Sequence, residues 1–253
     1  MSPLATWRTF MTKLKSREEV AERIMAFRFE KPANWTFTAG QFVDVTLLDP
    51  PETDAEGNTR GFSIASAPHE ELLMITTRMQ DTAFKRALRA LPLEAPVKVA
   101  GPFGNLTLHY NVARPAVLLA ADIGITPFRS IVFWAAKEQL KQPIWLFYCN
   151  RRPEDAAFLD ELKTLERENP NYNYIPTMTE MDKSQRPWQG ERGQIGYDLI
   201  SRHLKAVGSP ALPAAAPIYY IAGPPSMVGD LRTMLTNSGV DDDDIRSEEF
   251  TGY

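Results

Sequence analysis

The stretch AVLLAADIGITP, residues 116–127, places a turn and a proline directly after six apolar residues. The apolar run predicts a buried strand. Pro127 suits the first position of a helix, and the helical pattern continues to about Leu140. This stretch therefore predicts a strand, a turn and a helix in succession, which is the repeating unit of a parallel sheet.

The chain after Arg114 repeats this pattern. Apolar runs at 144–149, 172–176 and 218–222 predict three further strands, and helical patterns lie between and after them. Strands that alternate with helices form a parallel sheet covered by helices. We therefore predict an α/β domain over residues 113–253.

The residues before this region have a different pattern. Short alternating or apolar runs occur at 20–30, 41–48, 72–77 and 97–100, and one helix is predicted at 82–91. Several short strands separated by Pro and Gly are typical of a small antiparallel barrel. We predict a β-barrel domain over residues 1–112.

Composition excludes several classes of protein. The 253 residues carry 28 basic and 32 acidic side chains, a net charge of −4, which argues against a nucleic acid or an anionic membrane surface as partner. The single cysteine, Cys149, cannot form a disulfide within the chain or hold a [2Fe–2S] cluster. The three histidines are scattered, so no bound metal is expected. No apolar run approaches the roughly 20 residues of a membrane span, and the N-terminus lacks the apolar core of a signal peptide, so we expect a cytoplasmic protein.

Two turns of the α/β region follow buried strands directly. The first contains Gly124 and Thr126, which would leave backbone N–H groups free at the start of a helix, and the second is AGPPSM, residues 222–227. Helix N-termini at the carboxyl ends of parallel strands bind anions such as pyrophosphate. Either turn alone is also compatible with an ordinary connection between a strand and a helix.

The barrel region contains the stretch RGFS, residues 60–63. Arg60 could pair with a phosphate, Phe62 could stack on a flat heterocycle, and Ser63 could hydrogen-bond to the edge of that ring. A strand end with a surface arginine and a core phenylalanine is the alternative. Similarly, Tyr253 could dock over a flat ligand or belong to a frayed terminus.

In this order and spacing, RGFS, the GPFG stretch at 101–104, the Gly124–Pro127 turn and GPPSM at 223–227 resemble the ferredoxin–NADP reductase superfamily. The resemblance extends from about residue 18 to residue 253. It implies an antiparallel Greek-key β-barrel that binds FAD, followed by a Rossmann-like parallel α/β domain that binds NADH or NADPH.

The resemblance also implies roles for individual residues. Arg60 would hold the flavin pyrophosphate, Phe62 would stack on the isoalloxazine, and Ser63 would hydrogen-bond near its N5. Ser63 and Glu249, the nearest match to an acidic residue close to the nicotinamide, are the candidate catalytic residues. The other candidates are Thr76, Thr77, Arg78 and Thr82 for the flavin tail and pyrophosphate, Gly124, Thr126, Pro127, Gly223, Pro224 and Met227 for the nicotinamide nucleotide, and Tyr253 for the second flavin face.

Two departures from the family pattern concern the nicotinamide site. Asp122 stands where a glycine is usual, and its carboxylate should weaken dinucleotide binding unless the side chain turns away. Asp does tolerate the left-handed backbone that a glycine would supply. Ala222 stands where many members have a cysteine beside the flavin, so any role of that thiol is absent.

The choice between NADH and NADPH depends on the residues after the second and third strands of the α/β region. Arg151 and Arg152 could bind a 2′-phosphate, or they could be solvated residues before Pro153. The next strand ends in Thr177-Met178-Thr179-Glu180, where NADPH-selective members often have a Ser-Arg pair. Since no arginine is present there, we favour NADH slightly, although Arg186 and Arg192 in the following loop could reverse this preference by folding back.

The resemblance implies a FAD-dependent NAD(P)H oxidoreductase. Hydride passes from the reduced nicotinamide to the flavin, and electrons then pass to a separate acceptor such as a ferredoxin, a flavodoxin or a small molecule. A non-catalytic or regulatory flavoprotein subunit is the alternative, and Asp122 and Ala222 are the residues that favour it.

Overall fold

A computed structural model describes residues 7–206 and 216–251 of the chain. The first half forms a six-stranded antiparallel sheet in the order β4-β3-β6-β1-β2-β5. A bridge between Ile64 and Ile75, with the Ala65 N–H donating to the Met74 carbonyl at 2.8 Å, joins the two outer strands and closes the sheet into a barrel. Its elements are β1 (Arg8–Ala21), β2 (Ile24–Glu30), β3 (Phe42–Leu47), β4 (Thr59–Ser63), β5 (Leu72–Arg78), α1 (Ala83–Ala90) and β6 (Pro96–Phe103).

The second half forms a parallel six-stranded sheet in the order β10-β9-β8-β7-β11-β12. The fold predicted from the sequence, an antiparallel barrel followed by a parallel α/β sheet, is therefore confirmed. The elements are β7 (Ala116–Ala121), α2 (Ile125–Lys137), β8 (Ile144–Asn150), α3 (Leu159–Glu168), β9 (Tyr172–Met178), β10 (Glu191–Arg192), α4 (Tyr197–Ala206), β11 (Ile218–Gly223), α5 (Pro225–Asn237) and β12 (Ile245–Glu249).

Three elements differ from the sequence-based prediction. The alternating segment predicted at 20–30 is the second arm of a hairpin that turns at Arg23, where φ is 61°, and its first arm is the long strand β1. Helix α3 begins at Leu159 rather than near Glu154, because a 3₁₀ turn and the left-handed Phe158 precede it. Strand β12 follows the acidic run 241–244 and pairs in parallel with β11.

The two helix layers of the parallel sheet have different neighbours. Helices α4 and α5 cover one face, with Ile200, Leu204, Leu231 and Leu235 in the core. Helices α2 and α3 cover the other face, and the same apolar cluster takes in the barrel residues Ile24, Ala26, Ala39, Ala65 and Met74. The α2 side of the sheet therefore packs against the barrel.

A buried arginine on α2 reinforces this contact. The Arg129 side chain is 5% exposed and pairs with Glu70 of the barrel region and Glu161 of α3, both at 2.9 Å. It also donates to the Ala65 carbonyl at 2.9 Å, and the neighbouring Ser130 hydroxyl donates to the Ser66 carbonyl at 2.7 Å. These bonds fix the position of α2 on the barrel.

Within the described residues, none of the helices is both long enough and apolar enough to cross a membrane.

Candidate active site at the junction of the two sheets

A cavity of about 690 Å³ opens along the barrel where β4, β5 and the start of α1 meet. Thr126 at the beginning of α2 and Phe250 and Thr251 after β12 close it from the side of the parallel sheet. The flavin candidates Arg60, Phe62, Ser63, Thr76, Thr77, Arg78 and Thr82 all line this cavity.

The deep part of this first cavity fits a flat heterocycle with a polar edge. The hydroxyls of Ser63 and Thr76 are buried and have no hydrogen-bond partner among the described residues. A buried hydroxyl without a partner is costly, so a ligand that supplies one is favoured. The Phe62 ring, 5.9 Å from the Phe84 ring between centroids, offers an aromatic face in the same cavity.

The outer part of the first cavity contains groups that bind anions. Thr82 is the N-cap of α1, and its hydroxyl accepts a hydrogen bond from the Lys85 N–H at 3.3 Å. Arg60 lies nearby, with its guanidinium carbon 5.2 Å from the centre of the Phe84 ring. A guanidinium beside a helix N-terminus is suited to phosphate.

A second cavity, of about 340 Å³, lies at the carboxyl ends of the parallel strands. Asn150 at the end of β8, Arg151 directly after it, Thr179 after β9 and Met227 in α5 line it. The side-chain amide of Asn150 is buried and has no hydrogen-bond partner among the described residues, so it is available to a ligand. This is the edge at which open α/β sheets bind nucleotides.

The two glycine turns contact each other beneath this edge. A Cβ atom at Gly124 would lie 2.1 Å from the Ala222 carbonyl oxygen, and one at Gly223 would lie 2.6 Å from Met227 Cε. Larger residues at these positions would therefore push the turns apart. Of the residues predicted for the nicotinamide nucleotide, Gly124, Pro127, Gly223 and Pro224 line neither cavity, because the two turns pack against each other. Thr126 lines the first cavity, and its hydroxyl donates to the Ile123 carbonyl at 2.9 Å.

Arg78 borders both cavities and pairs with Asp122 between them. Its Nε donates to Asp122 Oδ2 at 2.8 Å and its Nη2 to Oδ1 at 2.5 Å. Asp122 adopts the left-handed backbone, with φ of 50°, and both side chains are largely buried. The carboxylate that the sequence places beside an anion site therefore has a counter-ion from the barrel.

Of the two arginines after β8, Arg152 is committed to other contacts. It binds both oxygens of Asp155 at 2.9 Å and Glu22 of the barrel at 2.7 Å, and it does not line the second cavity. Arg151 does line it, is 58% exposed and lies 3.9 Å from Asp155.

Sequence reasoning missed Glu248. It lies beside Ala222 in the pairing of β12 with β11, and burial raises the pKa of its carboxyl to about 7. Glu249, the residue singled out from the sequence, is the next along the strand and is exposed, whereas Glu248 is partly buried; neither glutamate lines either cavity. Successive side chains of a strand point to opposite faces, so in a strand with one covered face only one of two neighbouring glutamates is shielded. This alternation is the sequence signal that distinguishes Glu248 from Glu249.

Tyr253 lies outside the described residues. The chain reaches the first cavity two residues earlier, at Phe250 and Thr251. The Phe250 N–H donates to the Gly223 carbonyl at 3.0 Å, which ties this segment to the second glycine turn.

Comparisons with known proteins agree with this architecture. The profile of the oxidoreductase NAD-binding domain family matches residues 118–233. The chain is 28% identical to ferredoxin–NADP reductase B of Sorangium cellulosum, over 84% of this chain and 84% of that protein. It is 24% identical to the reductase component of propane 2-monooxygenase from Mycolicibacterium smegmatis, over 95% of this chain and 67% of that protein.

A solved structure has the same fold. The ferredoxin NADP⁺ reductase from Neisseria gonorrhoeae with bound FAD and NADP matches with a TM-score of 0.75 at 21% identity. The match covers 95% of this chain and 98% of that one. The barrel and the parallel sheet therefore occur together in this arrangement elsewhere.

Proposed function

We propose that this chain belongs to the ferredoxin–NADP reductase superfamily of FAD- and NAD(P)-binding oxidoreductases, and from that premise we assign the residues that hold each cofactor. As an NAD(P)H-dependent reductase, it passes electrons from the nicotinamide through a flavin to a separate acceptor. The observation that carries the assignment of cofactors is the pair of adjoining cavities with Arg78 in the wall of both.

We assign the first cavity to FAD. When bound there, the flavin accepts hydride from the reduced nicotinamide and releases electrons to the acceptor. Phe62 packs on the ring, while the buried hydroxyls of Ser63 and Thr76 satisfy its polar edge. Thr77 and Arg78 line the path of the tail, and Arg60 and Thr82 bind the pyrophosphate.

We assign the second cavity to the nicotinamide dinucleotide. Asn150, Thr179 and Met227 line this cavity and contact the dinucleotide, while the close packing of the turns at Gly124 and Gly223 fixes the position of Met227. Because Arg152 is held by Asp155 and Glu22, Arg151 is the arginine available to a 2′-phosphate. A single exposed arginine selects only weakly for the 2′-phosphate of NADPH, so NADH remains the favoured hydride donor.

Acid–base roles near the nicotinamide are proposed for Ser63 and for the acidic pair at the end of β12. Ser63 is buried at the cavity floor, so its hydroxyl can hydrogen-bond the flavin edge and orient it. Between Glu248 and Glu249, Glu248 has the shielded position and the raised pKa that suit a proton donor.

The acceptor is proposed to be a separate electron-transfer protein of the cytoplasm. Relatives of this chain are named as a ferredoxin–NADP reductase and as reductase components of a propane 2-monooxygenase and a terephthalate 1,2-dioxygenase. A ferredoxin or an oxygenase component is therefore the acceptor that we favour.

Anaerobic mixing of the flavin-loaded protein with NADH and with NADPH tests this function. We expect bleaching of the flavin within seconds, faster with NADH, and we expect Arg151→Ala to slow NADPH alone. Arg232→Ala, at a partly exposed position outside both cavities, is the control. A flavin that neither nicotinamide reduces would instead indicate a non-catalytic flavoprotein subunit.

A further inference from the structure

The loop before β4 places a carboxylate at the anion-binding end of the first cavity. Asp54 lines this cavity and pairs with Arg60 Nη2 at 2.5 Å. Its pKa is lowered, chiefly by the hydrogen bond from Arg60, and backbone hydrogen bonds from Glu56 and Phe84 add to the effect. Phe84 lies in the first turn of α1 and lines the same cavity, so Asp54 lies beside both the arginine and the start of this helix.

These are the same donors that would bind a phosphate. Phosphate oxygens bind best to a guanidinium together with backbone N–H groups at the start of a helix. A carboxylate offers the same kind of charged acceptor to the same donors. The position of Asp54 is therefore the position that a phosphate oxygen of the flavin tail would take.

The loop holds Asp54 there firmly. Asp54 and Gly57 form a bridge, with the Gly57 N–H donating to the Asp54 carbonyl at 2.9 Å, and φ of Gly57 is 75°. Glu52 anchors the loop to Arg86 of α1 at 2.6 Å, and Glu56 binds Arg60 Nε at 3.0 Å. Three acidic residues thus tie the loop to the two basic side chains next to the site.

We propose that Asp54 is an affinity-determining residue that occupies the phosphate position and that FAD must displace it from Arg60 and α1. The inference rests on the proposed function, because it takes the outer part of the first cavity as the place of the FAD pyrophosphate. Asp54 thereby sets how tightly the protein holds FAD and leaves binding of the ring system unaffected.

Removing this one charge tests the proposal. The full chain is freed of flavin by dialysis against potassium bromide, and the dissociation constants of FAD and of riboflavin, which has no phosphate, are measured by flavin fluorescence. The variant is Asp54→Asn, which keeps the shape of the side chain. The control is Glu94→Gln, which makes the same change of charge at a residue paired with Lys15 outside the cavity.

We expect Asp54→Asn to bind FAD about tenfold more tightly, a difference of about 1.4 kcal/mol, and to bind riboflavin as the wild type does. The control should match the wild type for both ligands. An FAD constant that is unchanged or weaker in Asp54→Asn overturns the proposal, as does equal tightening for FAD and riboflavin. Failure of every variant to bind FAD overturns the proposed function as well, so the two failures are distinguishable.

Discussion

Arg60 shows how one side chain of a short motif can be committed to several contacts at once. All three of its nitrogens bind the loop 54–59, through the carboxylates of Asp54 and Glu56 and the carbonyls of Glu56, Gly57 and Thr59. A bound pyrophosphate would have to take over some of these bonds. The free energy that Arg60 contributes to phosphate binding is therefore the difference between the contacts it would make with the phosphate and the contacts with the loop that it would lose.

We expect Arg60→Ala to purify largely without flavin. Loss of a charge-assisted contact in a partly buried site costs roughly 2–3 kcal/mol, which weakens FAD binding by about 30-fold to 150-fold. The ratio of flavin absorbance to protein absorbance measures the outcome. Arg86→Ala, which removes a half-exposed arginine that does not line the cavity, should keep its flavin; a full complement in Arg60→Ala would remove Arg60 from the site.

The pairing of Arg78 with Asp122 changes the effect expected of that aspartate. Since Arg78 neutralises the carboxylate, we expect Arg78→Ala to raise the Michaelis constant for the nicotinamide by leaving Asp122 as an uncompensated negative charge beside the second cavity. The double variant Arg78→Ala/Asp122→Asn should recover most of that loss. The Michaelis constants of the wild type, the two single variants Arg78→Ala and Asp122→Asn, and the double variant give the coupling free energy between the two residues. Additive effects would mean that Asp122 does not act on the dinucleotide.

Strand β12 matters among the elements, because its alternation decides which of two neighbouring glutamates is shielded. Glu248 has a pKa of about 7 in the folded protein against an ordinary value of 4.5, because burial disfavours its charged form. The folded state therefore binds more protons than the unfolded state between these two values. Stability falls as the pH rises from about 4.5 through 7.

We expect Glu248→Gln to be more stable than the wild type at pH 8, by an amount on the order of 3 kcal/mol, and to match it near pH 4.5. Urea unfolding at both pH values measures the difference. Glu249→Gln, at the exposed neighbour, retains Glu248 and should follow the wild type at both pH values. Equal curves for Glu248→Gln and the wild type at pH 8 would show that Glu248 ionises freely.

The elements also show what the sequence could predict. Buried strands such as 116–121 and 218–222, and the helix begun by Thr82, carry local patterns and were predicted within a few residues. Most of the flavin candidates line one cavity, because their motifs lie on adjoining strands. Asp54, Glu248 and Arg129 were not found, since their roles depend on partners distant in the sequence, and no local pattern encodes those partners.

At the scale of the whole molecule, the contact between α2 and the barrel fixes the position of the two cavities relative to each other. Arg129 is central to it, because the side chain is buried and its ion pairs reach Glu70 on one side and Glu161 on the other. Hydride transfer needs the reacting atoms within about 3.5 Å, so a small shift of this contact would lower the rate.

We expect Arg129→Met to lower the free energy of unfolding by about 3 kcal/mol, since Glu70 would lose its partner. The barrel and the parallel sheet should then unfold in separate steps, which differential scanning calorimetry would resolve. Arg202→Met removes an exposed pair with Glu191 and should cost less than about 1 kcal/mol. A single unfolding transition of Arg129→Met, at the melting temperature of Arg202→Met, would contradict this role of Arg129.

The strand pairing has a consequence for behaviour in concentrated solution. Unpaired strand edges are templates on which other chains add and aggregate. The bridge between Ile64 and Ile75 removes such edges from the barrel, while β10 offers two charged residues and β12 carries Arg246, Glu248 and Glu249. Within the described chain, the outer strands of both sheets are thus closed, short or charged, and we expect the folded protein to resist edge-to-edge polymerisation even where crowding is severe.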